Sequence, residues 1–301
     1  MPEENASTRV LRRLGFRRAG EGVDDEIGRT WCWELRLRTQ LMGVVNVTPD
    51  SFSDGGQFFS AEAAIAQGRA LVAAGAELID VGGESTRPGA AEVSEADELA
   101  RVLPVLRGLK GCGAELSIDT TKPAVAAAAL EAGATLVNDV TGLRGSDALA
   151  RLAAKAGARL CVMHMQGVPR TMQENPRYDD VVGEVLAALR GSIEKALAAG
   201  VPRANLLADP GIGFGKTFDH NLSLLKHLGR FRELEVSMLV GTSRKAFLGG
   251  LTGKPARERD VATAATVAVL AERGTADIVR VHAVAEARDA ALVGDAVRLA
   301  R

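Results

Sequence analysis

Arg280 and His282 stand two residues apart in IVRVHA (278–283), and at that spacing in an extended strand both side chains share a face. A guanidinium beside an imidazole makes a clamp for an anion such as phosphate. Inside a fold Arg280 is costly if unpaired, so it requires a bound anion or an acidic neighbour; a plain structural salt bridge stays open beside the anion clamp. Ser243, Arg244 and Lys245 in GTSRKAFLGGLTGK (241–254) fall where a helix can begin, a place that favours a carboxylate or phosphate. In GGESTRPGA (82–90) paired glycines and a Pro-Gly flank Ser85, Thr86 and Arg87, which suits a phosphate cradle and a simple glycine turn equally well. Asp209 opens DPGIGFGKT (209–217), and its carboxylate can accept two parallel hydrogen bonds from an amidine-like edge such as a 2-aminopyrimidinone. The same segment invites a phosphate-loop reading, but Gly213, Phe214, Gly215 and Lys216 lack the required glycine spacing. In NVTPDSFSDGG (46–56), Pro49, Asp50, Ser51, Ser53, Asp54, Gly55 and Gly56 rule out regular structure, leaving a polar connector or a lid.

The elements that must position these groups follow from the hydrophobic pattern. Eight short apolar runs occur beyond residue 40: 41–47, 76–81, 114–119, 134–139, 159–164, 205–209, 236–241 and 276–281. Each precedes an Ala/Leu-rich stretch of helical period, such as AEAAIAQGRALVAAGA after the first. Eight strand–helix pairs in series predict a single (β/α)8 TIM barrel with a short N-terminal extension; a doubly wound open sheet is the structural competitor. Nearly every run turns polar at its C-terminal end, at Asn46, Asp80, Asp119, Asn138, His164, Asp209, Ser243 and His282. In a closed barrel those ends converge on one rim, so residues distant in sequence share one pocket. Residues 31–301 are expected to form that one domain. Residues 1–30, charged and without an apolar core, are expected to be a polar, partly disordered extension.

Composition narrows the classes. Lys plus Arg (37) nearly balance Asp plus Glu (38), for a net charge of −1, so there is no general field for nucleic acid or anionic membrane. No apolar run approaches the ~20 residues needed to cross a bilayer. Cys32, Cys112 and Cys161 are odd in number and lack CxxC spacing, which fits a reducing cytoplasm rather than a disulfide framework. His164 and His282 show no HxH or HxxxH spacing, and His220 and His227 fall in an exposed helix, so a protein-ligated zinc is not supported. A Mg²⁺ carried mainly by substrate phosphates needs one or two protein oxygens, and Asn46 is a candidate.

Along the chain, MGVVNVTPDSFSDGG, IDVGGESTRPGA, SIDTTKP, LVNDVTG, VMHMQG, DPGIGFGK, TSRK and RVH follow in order, one at nearly every strand end. In these segments, and from about residue 31 to the C-terminus, the chain resembles the dihydropteroate synthase family of pterin-binding TIM-barrel enzymes. The resemblance implies a pterin held by Asp119, Asn138, Asp209 and Lys245, with Met163 and Phe214 lining its slot. It implies a pyrophosphate pocket of Asn46, Thr86, Arg87, Arg280 and His282, with Mg²⁺ on Asn46. It places an aminobenzoate by Ser243, Phe52 and Pro88, and gives Asp119, Arg280, His282 and Lys245 the catalytic roles. The diphosphate would leave before the amine attacks, and Asp119 would stabilise the pterin-methyl cation while loops 47–60 and 84–92 exclude water. A homodimer and sulfonamide targeting are likewise implied by the family alone. One departure is Ala283, where the family commonly has an acid, so a looser His282 is expected. A methyltetrahydrofolate-binding methyltransferase would share the pterin pocket but would not need NVTPDSFSDGG, ESTRPG or the Arg280/His282 clamp. For a third class, an idle pterin sensor, the sequence offers no lesion.

Overall fold

The computed structural model describes residues 7–8, 11, 16–24, 26, 28–35, 38–48, 61–85 and 90–300. Its centre is a closed barrel of eight parallel strands: β3 (Gln40–Asn46), β4 (Leu78–Gly82), β5 (Glu115–Asp119), β6 (Leu136–Asp139), β7 (Arg159–Met163), β8 (Leu206–Asp209), β9 (Ser237–Val240) and β10 (Ile278–Val281). Each pairs with its sequence neighbours, and β10 closes the ring onto β3 with Arg280 in register with Met42. Closure excludes the open sheet. Strands buried on both faces must be apolar along their whole length, which is why the runs read as continuous rather than alternating.

Helices α1 (Ala61–Ala73), α2 (Glu95–Leu109), α3 (Pro123–Ala132), α4 (Ala148–Ala156), α5 (Val181–Ala198), α6 (Phe218–Lys226), α7 (Ala246–Thr252), α8 (Asp260–Glu272) and α9 (Val284–Leu299) surround the ring. Local chemistry sets their starts. Ser94 caps α2 through the Asp97 N–H, Asp180 caps α5 through the Val182 and Gly183 N–H groups, and Thr217 forms a capping box with His220 on α6. Small residues let helices approach closely: a Cβ on Gly108 would lie 2.2 Å from Ile65 of α1.

Two apolar layers hold the barrel. Between strands and helices lies a large core that includes Val45, Ile79, Ile118, Leu160, Leu189 and Phe231. Inside the ring, Met42, Leu78, Leu136, Cys161, Leu207, Leu239 and Ile278 form a disc to which every strand but β5 contributes. On β5 the buried Ser117 instead donates to Asp80 Oδ1 at 2.5 Å.

Below the disc, at the strand N-terminal ends, charges are paired. Arg159 meets Glu115 at 2.7 Å and Arg232 meets Asp277 at 2.7 Å, and Asp277 also accepts from the Met238 N–H at 2.7 Å. Arg298 bonds Asp295, whose carboxylate accepts from the Thr39 N–H and hydroxyl, while Arg38 bonds Glu77.

The N-terminal expectation needs correction. Residues 16–24 and 28–35 form a two-stranded antiparallel ribbon, β1 (Phe16–Asp24) with β2 (Gly28–Leu35), so a boundary at residue 30 cuts through a strand. Gly28, at φ 77°, enables the turn, and Thr30, Trp31, Cys32 and Trp33 favour extended backbone. Arg18 stacks over Trp31 at 4.8 Å from the ring centre, which shows how a charged stretch can still form a strand. No helix among the described residues is long and apolar enough to cross a membrane.

Candidate active site

The strand C-terminal ends carry a continuous polar rim. Parallel register sets Asn46 beside Gly82, Gly82 beside Asp119, and Asp119 beside Asn138. The ring therefore brings β3 to β6 together with β10, and side chains of β4, β5, β6 and β10 form one network. Arg280 donates from Nε to Asp80 Oδ2 at 2.6 Å and from an Nη to Asp119 Oδ2 at 3.0 Å. Asn138 donates its amide to the same Asp80 oxygen at 3.0 Å. The acidic neighbour that Arg280 requires is thus two carboxylates sharing one guanidinium. Burial works against the Arg280 charge, but Asp80 and Asp119 more than offset it and keep the pKa above its ordinary value. Burial, with Asp80 adding repulsion, pushes Asp119 up to about 7 despite Arg280.

A second group lies on β7, β8 and the turns after β8 and β9. Asp209 ends β8, and its Oδ1 accepts from the Gly211 N–H at 2.7 Å. Burial raises its pKa to about 6, while the Gly211 N–H and the cations of Lys245, Lys216 and Arg280 act in the opposite direction. Lys245 sits over the Phe214 ring, with its Nζ 3.9 Å from the centre, a cation–π geometry. Phe214 packs on a patch of Val140, Met163, Met165 and Met172. Carboxylate, ammonium and a soft apolar wall together suit a flat, polar-edged heterocycle. Register carries Asp119 to Asn138, Asn138 to Cys161 and Met163 to Asp209, so both groups end strands on the same rim.

The turn after β9 is braced. Arg244 takes φ 59°, unusual for a residue with a side chain, and its guanidinium forms a bidentate pair with Asp260 at 2.8 and 2.7 Å. Arg259 donates to the Arg244 and Lys245 carbonyls. Helix α7 starts right after Lys245, where the sequence placed it. Ser243 Oγ lies 2.9 Å from His282 Nδ1 and accepts from the His282 N–H at 3.1 Å. The looser histidine expected from Ala283 is therefore corrected: the turn after β9 supplies a hydroxyl that holds His282 at both Nδ1 and its backbone N–H.

Among the described residues no group of three or more His, Cys, Asp or Glu side chains could hold a metal. Asn46 offers one hard amide oxygen at the rim. That donor set fits a Mg²⁺ whose other ligands come from a phosphate-bearing substrate, and does not fit a protein cage. Thr86, Arg87, Pro88 and Phe52 lie outside the described residues, as do residues 49–60 and 86–89 of the two loops expected to close. Their stub at Glu84 is tied down: Lys122 bridges Glu84 and the buried Glu98 at 2.5 Å each. His227 is at the C-terminal cap of α6, and His220, in its first turn, packs edge-on against Tyr178 at 5.0 Å between ring centres.

Two residues stand out that sequence reading assigned no role. Asp80 is the hub of the first network, fully buried; an acid in the middle of LIDVG, a strand buried at every position, was the available signal. Lys216, set aside with the phosphate-loop reading, is buried beside His164.

The family model described as pterin binding enzyme matches residues 42–282. The Escherichia coli protein named dihydropteroate synthase is 45% identical over 262 residues, covering 87% of this chain and 92% of that one. The Yersinia pestis dihydropteroate synthase, solved with a sulfonamide drug, superposes with a TM-score of 0.83 at 42% identity, covering 93% of this chain and all of the other. The Xanthomonas albilineans dihydropteroate synthase, solved with 4-aminobenzoic acid, superposes with a TM-score of 0.82 at 44% identity, over 91% of this chain and 96% of that one.

Proposed function

Since the chain belongs to the pterin-binding enzymes, and among them to the dihydropteroate synthases, we propose how its mouth condenses p-aminobenzoate with 6-hydroxymethyl-7,8-dihydropterin diphosphate to 7,8-dihydropteroate and pyrophosphate. The enzyme is a transferase of folate biosynthesis. The observation that carries the site assignment is the meeting of Asp80, Asp119, Asn138 and Arg280 at one end of the barrel.

In this reading Asp209 and Asn138 accept from and donate to the amino and amide edge of the pterin, Lys245 meets its carbonyl side, and Met163 and Phe214 flank its faces. The cationic side, formed by Arg280 and His282 with Asn46, Thr86 and Arg87, receives the diphosphate. The bond from the pterin methylene to the bridging oxygen breaks with both electrons going to the diphosphate. Arg280 and His282 stabilise the charge that develops there. A Mg²⁺ on Asn46, when bound, would neutralise part of the same charge. Asp119 faces the pterin-methyl cation left behind; the aniline nitrogen forms the new C–N bond with its lone pair and then loses a proton. An arylamine is already neutral near pH 7, so little base catalysis is needed. Ser243, with Phe52 and Pro88, would seat the aminobenzoate, and the Ser243 hydroxyl is shared with His282 in the free protein.

Asp80 supplies what this scheme needs, an acceptor for Arg280 Nε that leaves the Asp119 contact free to be exchanged for phosphate oxygen. Free thiols at Cys32, Cys112 and Cys161 support a cytoplasmic enzyme. Exposed Val261 and Val269 on α8, and Leu292, Val293 and Val297 on α9, support a homodimer formed through that face, which sedimentation would check. The central test mixes the purified protein, the pterin diphosphate, Mg²⁺ and p-aminobenzoate. With the amine present, 7,8-dihydropteroate and pyrophosphate should form in equal amounts; pyrophosphate without dihydropteroate would refute the reading.

A further inference from the structure

We propose that Lys216 is a positioning residue for pterin recognition: its buried ammonium, behind the turn that follows β8, keeps the Asp209 carboxylate charged and able to accept from the heterocycle. This rests on the assignment of Asp209 to the pterin given above.

The geometry around Lys216 Nζ is built for a cation. The residue is 3% exposed. Its Nζ has three acceptors, the Phe214 carbonyl at 3.0 Å, the His164 carbonyl at 3.3 Å and His164 Nδ1 at 3.0 Å. An ammonium has three N–H groups and satisfies all three, whereas a neutral amine would turn its lone pair against one of them. Serving as acceptor at Nδ1 fixes the His164 proton on Nε2. Burial, with the Lys216 and Arg144 charges, pulls the His164 pKa to about 3, so the ring stays neutral near pH 7.

A buried cation needs a counter-charge, and Asp209 is close at hand. Gly211 lies between them: its N–H donates to Asp209 Oδ1 at 2.7 Å, and a Cβ built on it would stand 3.4 Å from Lys216 Nζ and 1.9 Å from the His164 carbonyl. With φ +66°, this position takes glycine and lets the two charges approach. Burial lowers the Lys216 pKa to about 7, and Asp209 works to raise it while Lys245 lowers it further. The other groups facing Asp209 are Lys245, Arg280 and the Cys161 thiol, which burial and the nearby carboxylates keep protonated. Lys245 and Arg280 are the cations a ligand engages at the open mouth. Lys216 is covered, so its charge remains available to Asp209 when the ligand has claimed the others.

Without the ammonium, the already raised Asp209 pKa rises further, the carboxyl is protonated over a wider range, and pterin binding fails up to a higher pH. The test measures 6-hydroxymethylpterin affinity by calorimetry on the full chain, from about pH 5 to about pH 8.5, for the parent, Lys216→Met and Asp209→Asn. In Lys216→Met the acid-side midpoint should move up by about one unit, with about tenfold weaker binding below it and recovery at the alkaline end. A pH-independent loss, or no loss, overturns the inference. Asp209→Asn should lose binding at every pH; if it binds like the parent, the assignment of Asp209 is at fault rather than Lys216. Should Lys216→Met fail to fold, a ¹⁵N NMR titration of the Lys216 side chain decides: its pKa should be lower by about one unit in Asp209→Asn than in the parent, and equal values reject the coupling.

Discussion

At the floor of the barrel each cation has an acid assigned to it, whereas at the mouth one guanidinium serves two carboxylates. Arg159 with Glu115, Arg232 with Asp277 and Arg298 with Asp295 are pairs, and all three acids also accept from backbone or hydroxyl groups at strand starts. Asp80 and Asp119 share Arg280, and at the other side of the mouth Asp209 and the ammonium of Lys216 each hold a charge that burial opposes. Both sets lie at strand ends around the same ring, so the difference is one of balance. Matched charges stabilise the chain as it is, and mismatched charges leave a site whose ionisation responds to what binds.

That contrast can be broken by substitution, most sharply at Arg280. Arg280→Ala should lower turnover about a hundredfold or more, equivalent to ~3 kcal/mol of transition-state stabilisation, while the melting curve stays cooperative; near-normal steady-state turnover would remove the clamp from the chemistry. Asp277→Ala should do the reverse. Losing the partner of Arg232 and the acceptor of the Met238 N–H should cost about 2 kcal/mol of unfolding free energy in denaturant titration, with turnover of the folded fraction unchanged. A tenfold fall in turnover there would erase the distinction between the two ends.

Asp80→Asn tests the mouth more finely. Turnover should drop about tenfold because Arg280 Nε loses its charged acceptor, a change of ~1.4 kcal/mol. The acid limb of the pH profile should also shift. With Asp119 required as a carboxylate and its pKa pushed up to about 7, activity falls as pH drops through that region. Removing the Asp80 charge removes one of the causes of that rise, so the limb should move to lower pH. An unmoved limb would show that Asp119 does not titrate there. For the ligand-free fold the sign is opposite: a carboxyl raised above its usual 3.8 favours the folded state most at low pH, and this contribution fades as pH climbs toward about 7. The smallest effect belongs to Arg159→Ala, whose partly exposed pair with Glu115 should be worth less than ~1 kcal/mol in stability and nothing in rate.

Much of this was legible without coordinates, because parallel strands buried on both faces leave an apolar trace that ends in a polar residue. The eight runs overlap the eight barrel strands, and their polar ends, Asp119, Asn138 and Asp209 among them, lie on one rim of the closed ring. The ribbon of β1 and β2 was hidden by its charges, since Arg17, Arg18 and Glu21 mask the extended pattern that Trp31 and Trp33 complete. The role of Asp80 depends on a partner 200 residues away, a meeting that ring closure creates and no local pattern records. Lys216 was harder still, because two of its three acceptors are backbone carbonyls, which leave no mark in the letters.

Consider, finally, the apolar disc of Met42, Leu78, Leu136, Cys161, Leu207, Leu239 and Ile278. It acts as an electrical insulator between the two ends, so neither salt nor water rising from the floor can compensate a charge above it. Any counter-ion for the mouth has to enter through the mouth, and the substrates are the ions that do so.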